Sequence, residues 1–172
     1  MDKEMKWMNV TRKAIVVAKH AHVGQTDKCG MPYWLHPYRV GLAVACYGED
    51  AIAVGFLHDV LEDTRITPRF LRQLRFEEHI IDAVVTLSRK NGESYSKYIK
   101  RIEQNEIAIR VKIADLTDNL RYDRIRNLWG KSKFVMKTKG MYEQYLDKLI
   151  EKYPDSRRVR EGYERLLPEF VD

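Results

Sequence analysis

The sequence predicts an all-α fold in one domain, and two observations carry that prediction. Apolar residues recur at the three- and four-residue spacing of helices along most of the chain, and no run shows the alternation typical of a strand. The 172 residues suffice for one hydrophobic core without disulfides. We therefore expect a helical bundle over residues 1–172, with the functional site within about residues 20–126 and closing helices over residues 134–172.

Periodicity, capping residues and helix breakers predict the elements in chain order. A loop rich in turn formers, residues 23–33, is expected to cover the site, and Gly48 separates the next two helices. Thr67 and Ser94 stand at N-cap positions, and Pro154 separates the last two helices. The predicted helices span residues 8–20, 37–47, 50–62, 68–74, 77–87, 95–102, 107–120, 134–153 and 157–167.

Composition restricts the function classes. The net charge of +6 favours a polyanionic partner, but no zinc-finger, RNA-recognition or helix-turn-helix motif points to nucleic acid. The basic runs at residues 121–126 and 131–139 are typical of solvated helix faces. Two cysteines without a CxxC motif predict a reduced, cytoplasmic protein, and no apolar run is long enough for a membrane span. Whether the chain forms a homo-oligomer stays open.

The most informative segment reads HDVLEDT, begins at His58 and closes an apolar run. Burying ionisable groups is costly unless they are paired or bind a metal. Residues three and four apart share a helix face, so the His58-Asp59 pair is stacked on the acidic pair one turn later. That acidic pair is Glu62 and Asp63. Two candidate metal ligands thus lie over two candidate proton-transfer groups. The alternative is a helix that reaches the surface at its C-terminal end and solvates its charges, and structural ion pairs also form such clusters.

Two other segments place ligand-type side chains in helices. His36 stands directly before Pro37, and a proline there indicates the first turn of a helix. Asp115 and Asn119 stand one turn apart in an apolar stretch, where an aspartate is unfavourable for helix propensity and for burial. The sequence therefore offers further candidate ligands at these two places.

Together the segments provide two histidines and two aspartates as candidate ligands of one ion. This mixture of nitrogen and oxygen ligands suits Mn²⁺, Fe²⁺ or Zn²⁺, and the lack of cysteine ligands argues against a structural zinc site. Such an ion lowers the pKa of a bound water, and Glu62 is a candidate acceptor of the proton. The candidate ligands are His36, His58, Asp59 and Asp115.

These motifs resemble the HD-domain metal-dependent phosphohydrolases. The flanking residues narrow the resemblance to the hydrolase domain of RelA/SpoT proteins and to stand-alone small alarmone hydrolases. The matching strings are AHVGQ from Ala21, GMPYWLHP from Gly30, LHDVLEDT from Leu57 and VKIAD from Val111, followed by Asn119. The Glu-Asp-Thr after the His-Asp pair separates this branch from most other HD proteins.

The resemblance implies a single HD-domain helical bundle that hydrolyses the 3′-pyrophosphate of ppGpp or pppGpp, giving GDP or GTP and pyrophosphate. The four candidate ligands would hold one ion, in this family usually Mn²⁺. Glu62 and Asp63 match the acidic pair that orients and deprotonates the attacking water. Lys28 matches a basic residue near the phosphates, and Asn119 matches a residue at the ribose and phosphate. The length leaves no room for a synthetase domain, so a hydrolase alone is expected.

Two positions depart from the family pattern. The loop after the Gly-Gln pair commonly carries Arg-Lys, with the arginine against the guanine, whereas this chain has Asp27 before Lys28. Asp118 stands where relatives often carry a histidine or an aromatic residue. The base preference is therefore open. A phosphatase of nucleoside monophosphates or NADPH with the same fold, and a non-catalytic nucleotide-binding module, remain as alternatives.

Overall fold

Helices form nearly all the regular structure in the computed structural model, which describes residues 8–27, 29–121 and 133–166. Only the backbone is described for residues 133–136 and 164–166. Within this part of the chain there is no strand, and an isolated β-bridge joins Thr26 and Pro32. The all-α prediction is confirmed. The α-helices are α1 Val10–Ala21, α2 Leu35–Ala43, α3 Glu49–Leu57, α4 Val60–Asp63, α5 Pro68–Gln73, α6 Glu78–Leu87, α7 Tyr95–Ile102, α8 Glu106–Asn119, α9 Lys133–Lys152 and α10 Arg157–Leu166.

Capping side chains begin several helices where the sequence predicts it. Thr67 accepts a hydrogen bond from the Phe70 amide at the start of α5, and Ser94 caps α7 in the same way. The continuous helix predicted over residues 50–62 is wrong in one detail. The chain turns at His58 and Asp59, and helical bonding resumes with the Asp63 amide donating to the Asp59 carbonyl at 2.9 Å.

The centre of the bundle is α3, which packs against α1, α2, α6 and α8. Its crossing with α2 depends on two glycines, because a Cβ on Gly55 would lie 2.5 Å from the Cα of Gly41. This close backbone contact brings the first turn of α2 beside the end of α3. The rings of His36 and His58 consequently lie 5.1 Å apart between their centroids.

Two C-terminal helices close the bundle in the described residues, as predicted. Both α9 and α10 contact α8, and α10 also packs on α2, where a Cβ on Gly162 would lie 2.8 Å from the Ala43 carbonyl oxygen. Most of the predicted basic run at residues 121–126 lies outside the described residues, and so do positions 131 and 132 of the second run. No helix in the described ranges combines the length and apolar character needed to cross a bilayer.

Candidate active site

Three pieces of the bundle bring the four candidate metal ligands together. His36 comes from the first turn of α2, His58 and Asp59 from the turn between α3 and α4, and Asp115 from α8. His36 Nε2 lies 3.1 Å from Asp115 Oδ1 and 3.6 Å from Asp59 Oδ2. His58 Nε2 lies 3.1 Å from Asp59 Oδ2 and 3.8 Å from Asp115 Oδ1. These four residues, the metal cluster, form a closed ring of alternating nitrogen and oxygen atoms.

The ring has the dimensions of a divalent cation site. Ligand atoms at about 2.1 Å from an ion lie about 3.0–3.4 Å from their neighbours, close to the observed separations. His36, His58 and Asp115 are buried and can direct one ligand atom each to a common point. Nε2 of His58 is buried and makes no hydrogen bond to any described residue, a state that is costly without a ligand. The donor set therefore fits a divalent metal ion.

The second nitrogen of each imidazole is fixed by a hydrogen bond. His36 Nδ1 lies 2.6 Å from Asp118 Oδ2, and His58 Nδ1 lies 2.8 Å from the Gly55 carbonyl oxygen. Both partners accept, so Nδ1 is the donor, and in the neutral imidazole that binds a metal the lone pair of Nε2 points to the centre of the cluster. This is the arrangement that orients metal-binding histidines in proteins.

Asp118 is fully buried and is held by an arginine as well as by His36. Arg39 donates from Nε to Oδ1 at 2.7 Å and from Nη2 to Oδ2 at 3.0 Å. Arg121 Nη1 lies 3.6 Å from Oδ1. Burial alone would raise the pKa of Asp118, but the bonds from His36 and Arg39 hold it far below its usual range. The carboxylate is thus ionised in the protein interior.

Asp115 is oriented by two donors on its own helix. Lys112 Nζ donates to Oδ2 at 2.6 Å, and Asn119 Nδ2 donates to Oδ1 at 2.6 Å. Lys112 is buried and also lies over the Tyr98 ring at 5.1 Å. Asn119 is therefore next to the metal cluster, where its amide contacts a candidate ligand.

The charges of the cluster favour a cation. Burial would lower the pKa of both imidazoles, but neighbouring carboxylates outweigh it and raise the pKa of His36 and, more strongly, that of His58. Burial opposes ionisation of Asp59 too, yet the charge of His58 lowers its pKa to about 2. The charge of Lys112 keeps the pKa of Asp115 well below its ordinary value, despite burial. Anionic oxygens therefore face the imidazoles at neutral pH.

The acidic pair stands at the rim of the cluster, each member held by one donor. Glu62 Oε2 accepts from the Arg89 backbone amide at 2.9 Å. The Tyr33 hydroxyl lies 2.9 Å from Asp63 Oδ2 and 2.9 Å from Asp59 Oδ2. Burial and the charges of both aspartates raise the pKa of Tyr33, which keeps the phenol neutral and able to donate. Tyr33 thereby links the acidic pair to the metal cluster.

A cavity of about 470 Å³ opens over these groups, within the range of small-molecule sites. Three cations, which we call the basic wall, line it together with tyrosines from α7 and α9. The Arg89 guanidinium donates to the Glu93 carbonyl oxygen at 2.7 Å and lies 5.9 Å from the centre of the Tyr95 ring. The basic wall consists of Arg89, Lys112 and Lys139.

The loop before α2 forms another side of the cavity. Asp27 Oδ1 accepts from the amides of Cys29 and Met31, at 2.8 and 3.0 Å, and so shapes the loop. The Gln25 side chain ties the loop to the rim by donating to the Asp63 carbonyl oxygen at 2.9 Å. Lys28, predicted near the substrate phosphates, lies outside the described residues.

The structure brings seven of the eight predicted site residues into one cavity, and the eighth, Lys28, is outside the described residues. Sequence patterns single out neither Arg39 nor Arg89, nor the support that Asp118 gives His36. A lysine inside an apolar helix, three residues before Asp115, was a signal that could have identified Lys112 as a buried ion-pair partner. The partners Arg39 and Asp118 are 79 residues apart in the chain and left no such local signal.

Curated relatives of the chain are long proteins that it matches in one segment. It is 33% identical over 170 residues to the bifunctional (p)ppGpp synthase/hydrolase SpoT of Escherichia coli K12, covering 91% of this chain and 24% of SpoT. It is 35% identical over 129 residues to a GTP pyrophosphokinase of Myxococcus xanthus, covering 66% of this chain and 17% of that protein. A guanosine-3′,5′-bis(diphosphate) 3′-pyrophosphohydrolase of Aquifex aeolicus is 31% identical over 128 residues, covering 69% and 18%. The chain thus spans at most about a quarter of these relatives.

A solved structure shares the fold. It is described as a metazoan ortholog of SpoT that hydrolyses ppGpp, and it matches with a TM-score of 0.55 at 18% sequence identity. The match covers 84% of this chain and 96% of the other, which extends the fold agreement across most of the bundle. No family model matches the chain.

Proposed function

The chain belongs to the RelA/SpoT type of HD hydrolase domain, and we propose that it is a metal-dependent hydrolase of a 3′-pyrophosphorylated nucleotide. The substrate we favour is ppGpp or pppGpp, with GDP or GTP and pyrophosphate as products. The names of its relatives support this choice. The observation that carries the proposal is the closed ring of the metal cluster with Glu62 and Asp63 on its rim.

In this proposal His36, His58, Asp59 and Asp115 hold one divalent ion, which we take to be Mn²⁺. When bound, such an ion supplies Lewis-acid activation of water and of a phosphoryl oxygen. The two imidazoles bind through Nε2, since Nδ1 is a donor in both. A carboxylate oxygen from each aspartate completes the protein ligands.

Glu62 is our candidate general base. Its carboxylate lies on the cavity rim and is oriented by the Arg89 amide, so it can take a proton from the attacking water. Asp63 is our candidate for orienting the water from the other side. The Tyr33 hydroxyl lies 2.9 Å from Asp63 Oδ2 and from Asp59 Oδ2 and donates its single proton to one of these carboxylates at a time. Water then attacks the phosphorus attached to the ribose 3′-oxygen. The oxygen–phosphorus bond breaks, and the 3′-oxygen leaves and takes up a proton.

The basic wall faces the same cavity and supplies charge for the substrate phosphates. Arginine and lysine are the usual partners of phosphoryl oxygens, and their charge counters that developing in phosphoryl transfer. We place the pyrophosphate between Arg89 and the metal cluster. We assign Asn119 to the ribose and phosphate and Lys28 to the phosphates, as the family resemblance implies. Asp27 occupies the position where relatives carry the arginine that lies against the base, and here it shapes the loop by hydrogen bonds instead. The base preference therefore has to be measured separately from the hydrolytic reaction.

We treat residues 1–172 as one hydrolase domain, with the metal cluster and the acidic pair between residues 20 and 126 and with α9 adding one side of the cavity. A cytoplasmic location and independence from nucleic acid and membranes stay predictions, and whether the chain forms a homo-oligomer stays open.

The test is product analysis of the purified protein with Mn²⁺ and a panel of ppGpp, pppGpp, pppApp, NADPH and nucleoside monophosphates. We expect pyrophosphate from a 3′-pyrophosphorylated nucleotide, lost in Asp59→Ala and retained in the control Asp82→Ala, whose side chain is exposed on α6. Orthophosphate from monophosphates or NADPH would replace the proposal with a phosphatase of the same fold. No turnover across the panel with the ion bound would leave a nucleotide-binding role in its place.

A further inference from the structure

We propose that Asp118 and Arg39 are positioning residues that hold His36 in the orientation and tautomer required for metal binding. This inference rests on the proposed function only in assuming that the metal cluster binds a divalent ion. It assigns a role to a buried ion pair behind the cluster, on the side facing away from the cavity.

The hydrogen-bond geometry fixes the imidazole completely. Asp118 Oδ2 accepts from His36 Nδ1 at 2.6 Å, while both carboxylate oxygens accept from Arg39 at 2.7 and 3.0 Å. A carboxylate that accepts two hydrogen bonds from one planar guanidinium is held in the plane of that guanidinium. His36 therefore has its Nδ1–H aimed at one fixed acceptor and its Nε2 lone pair aimed at the cluster.

The three side chains of this arrangement are almost completely buried. The Asp118 side chain has no exposed surface, and the side chains of His36 and Arg39 are 3% and 10% exposed. The α10 helix packs on this side through the buried Tyr163, whose pKa is raised by burial and, to a smaller extent, by the charge of Asp118. The partner of Nδ1 is therefore a buried carboxylate.

The two histidines differ in what supports them. His58 Nδ1 is bound by the main-chain carbonyl of Gly55, one turn earlier, which every residue type would supply. His36 depends on two side chains from two helices. A substitution can therefore remove the support of one imidazole and leave the other intact.

A purely structural role is the competing explanation. Buried ion pairs contribute little net stability compared with apolar residues of the same volume, so stability alone gives weak grounds for this pair. The two roles predict different measurements. A structural pair changes the fraction of folded protein, whereas a positioning pair changes the affinity of the folded protein for the ion.

The experiment measures Mn²⁺ and Co²⁺ affinity by competition with a chelator, on protein shown to be folded by circular dichroism. Asp118→Asn keeps the shape of the side chain and removes the charge that fixes it against Arg39. We expect the dissociation constant to rise about 10- to 100-fold, the usual effect of losing such a partner. The visible absorption of bound Co²⁺ is expected to change as well, because the ligand geometry changes.

Arg39→Lys is the second variant and keeps Asp118 with a cationic partner. Lysine retains the positive charge but cannot form the bidentate pair of hydrogen bonds. We therefore expect a smaller loss of ion affinity, about tenfold at most. Because Asp118 itself is unchanged, this variant tests the inference if Asp118→Asn does not fold.

Glu93→Gln provides the matched control. Glu93 forms a similar two-point pair with Arg101, at 2.7 and 3.0 Å, away from the metal cluster. The ion affinity of the Glu93→Gln variant should equal that of the wild type. If the folded Asp118 and Arg39 variants also bind both ions with wild-type affinity, the positioning role is wrong and the proposed function stands. If the wild type binds neither ion, both the positioning role and the proposed function are wrong. Metal binding without hydrolysis would overturn only the proposed function.

Discussion

The metal cluster and the basic wall face the same cavity but are built in different ways. Each member of the cluster lies within a short string of the sequence, surrounded by apolar residues, and is locked by hydrogen bonds inside the bundle. The basic wall gathers single residues from a turn, from α8 and from α9. The comparison teaches that the members of the metal cluster carry local sequence signals although the packing of three segments assembles them, whereas Arg89 and Lys139 carry no such signal and join the site only through tertiary packing.

Removing a ligand from the cluster should have the largest effect. Asp59→Ala takes away an oxygen 3.1 Å from His58 Nε2 and opens the ring. We expect no measurable ion binding and no turnover, as measured by chelator competition and pyrophosphate release. Adding a chelator to the wild type should reproduce the loss, and Mn²⁺ should restore activity to the wild type alone. Full activity in chelator would contradict the role of the ion.

Glu62→Ala separates the proton-transfer step from metal binding. Glu62 contacts the Arg89 amide rather than a cluster residue, so ion affinity should stay as in the wild type. We expect kcat to fall by about 10²- to 10⁴-fold, the usual contribution of a general base. Glu77→Ala, an exposed glutamate at the start of α6, is the control. Unchanged kcat in Glu62→Ala would exclude Glu62 as the base.

Arg89→Gln tests the basic wall. Losing hydrogen bonds to a charged phosphate costs about 1.5–3 kcal/mol, so kcat/KM should fall about 10- to 100-fold with ion affinity unchanged. Lys90→Gln, the next residue along, is exposed and does not line the cavity, so it should match the wild type. Equal effects of the two variants would show that only general surface charge matters.

The fold and most of the cluster could be predicted from the sequence because they depend on local signals. Helical periodicity, N-caps and proline positions are properties of neighbouring residues, and the ionisable residues stand out because their surroundings are apolar. The structure buries His36, His58 and Asp115 with their ligand atoms close together, while their role as metal ligands stays a prediction.

The remaining parts depend on contacts that a sequence does not encode locally. The break at His58 and Asp59 follows from how α3 ends in the core, so a continuous helix was the natural expectation. The Arg39–Asp118 pair joins two helices across 79 positions. Arg89 enters the cavity because the turn after α6 packs beside Glu62 of α4, a contact between segments that are distant in the sequence.

Gly55→Ala tests whether the α2–α3 crossing builds the cluster. A methyl group would lie 2.5 Å from the Gly41 Cα, so the helices must separate. We expect about 1–3 kcal/mol of lost stability, measured by urea denaturation, together with weaker ion binding. Gly140→Ala on α9, where a Cβ meets no atom within 4 Å, should instead stabilise the protein by about 0.5–1 kcal/mol. If Gly55→Ala loses stability but keeps its ion affinity, the α2–α3 crossing does not position the metal cluster.

The smallest effect concerns acid stability beside the basic wall. Hydrogen bonds from Arg101 lower the pKa of Glu93 to about 2, although burial opposes this. Because the folded pKa lies below the unfolded value of about 4.3, the ionised carboxylate stabilises the fold above that value. This stabilisation disappears as the pH falls toward 2. Glu93→Gln lacks it at every pH, so its urea midpoint should lie below that of the wild type at pH 7. The two midpoints should converge as the pH approaches 2. A constant difference between pH 7 and pH 2.5 would show that the pair acts through packing, and that this side of the cavity does not depend on charge.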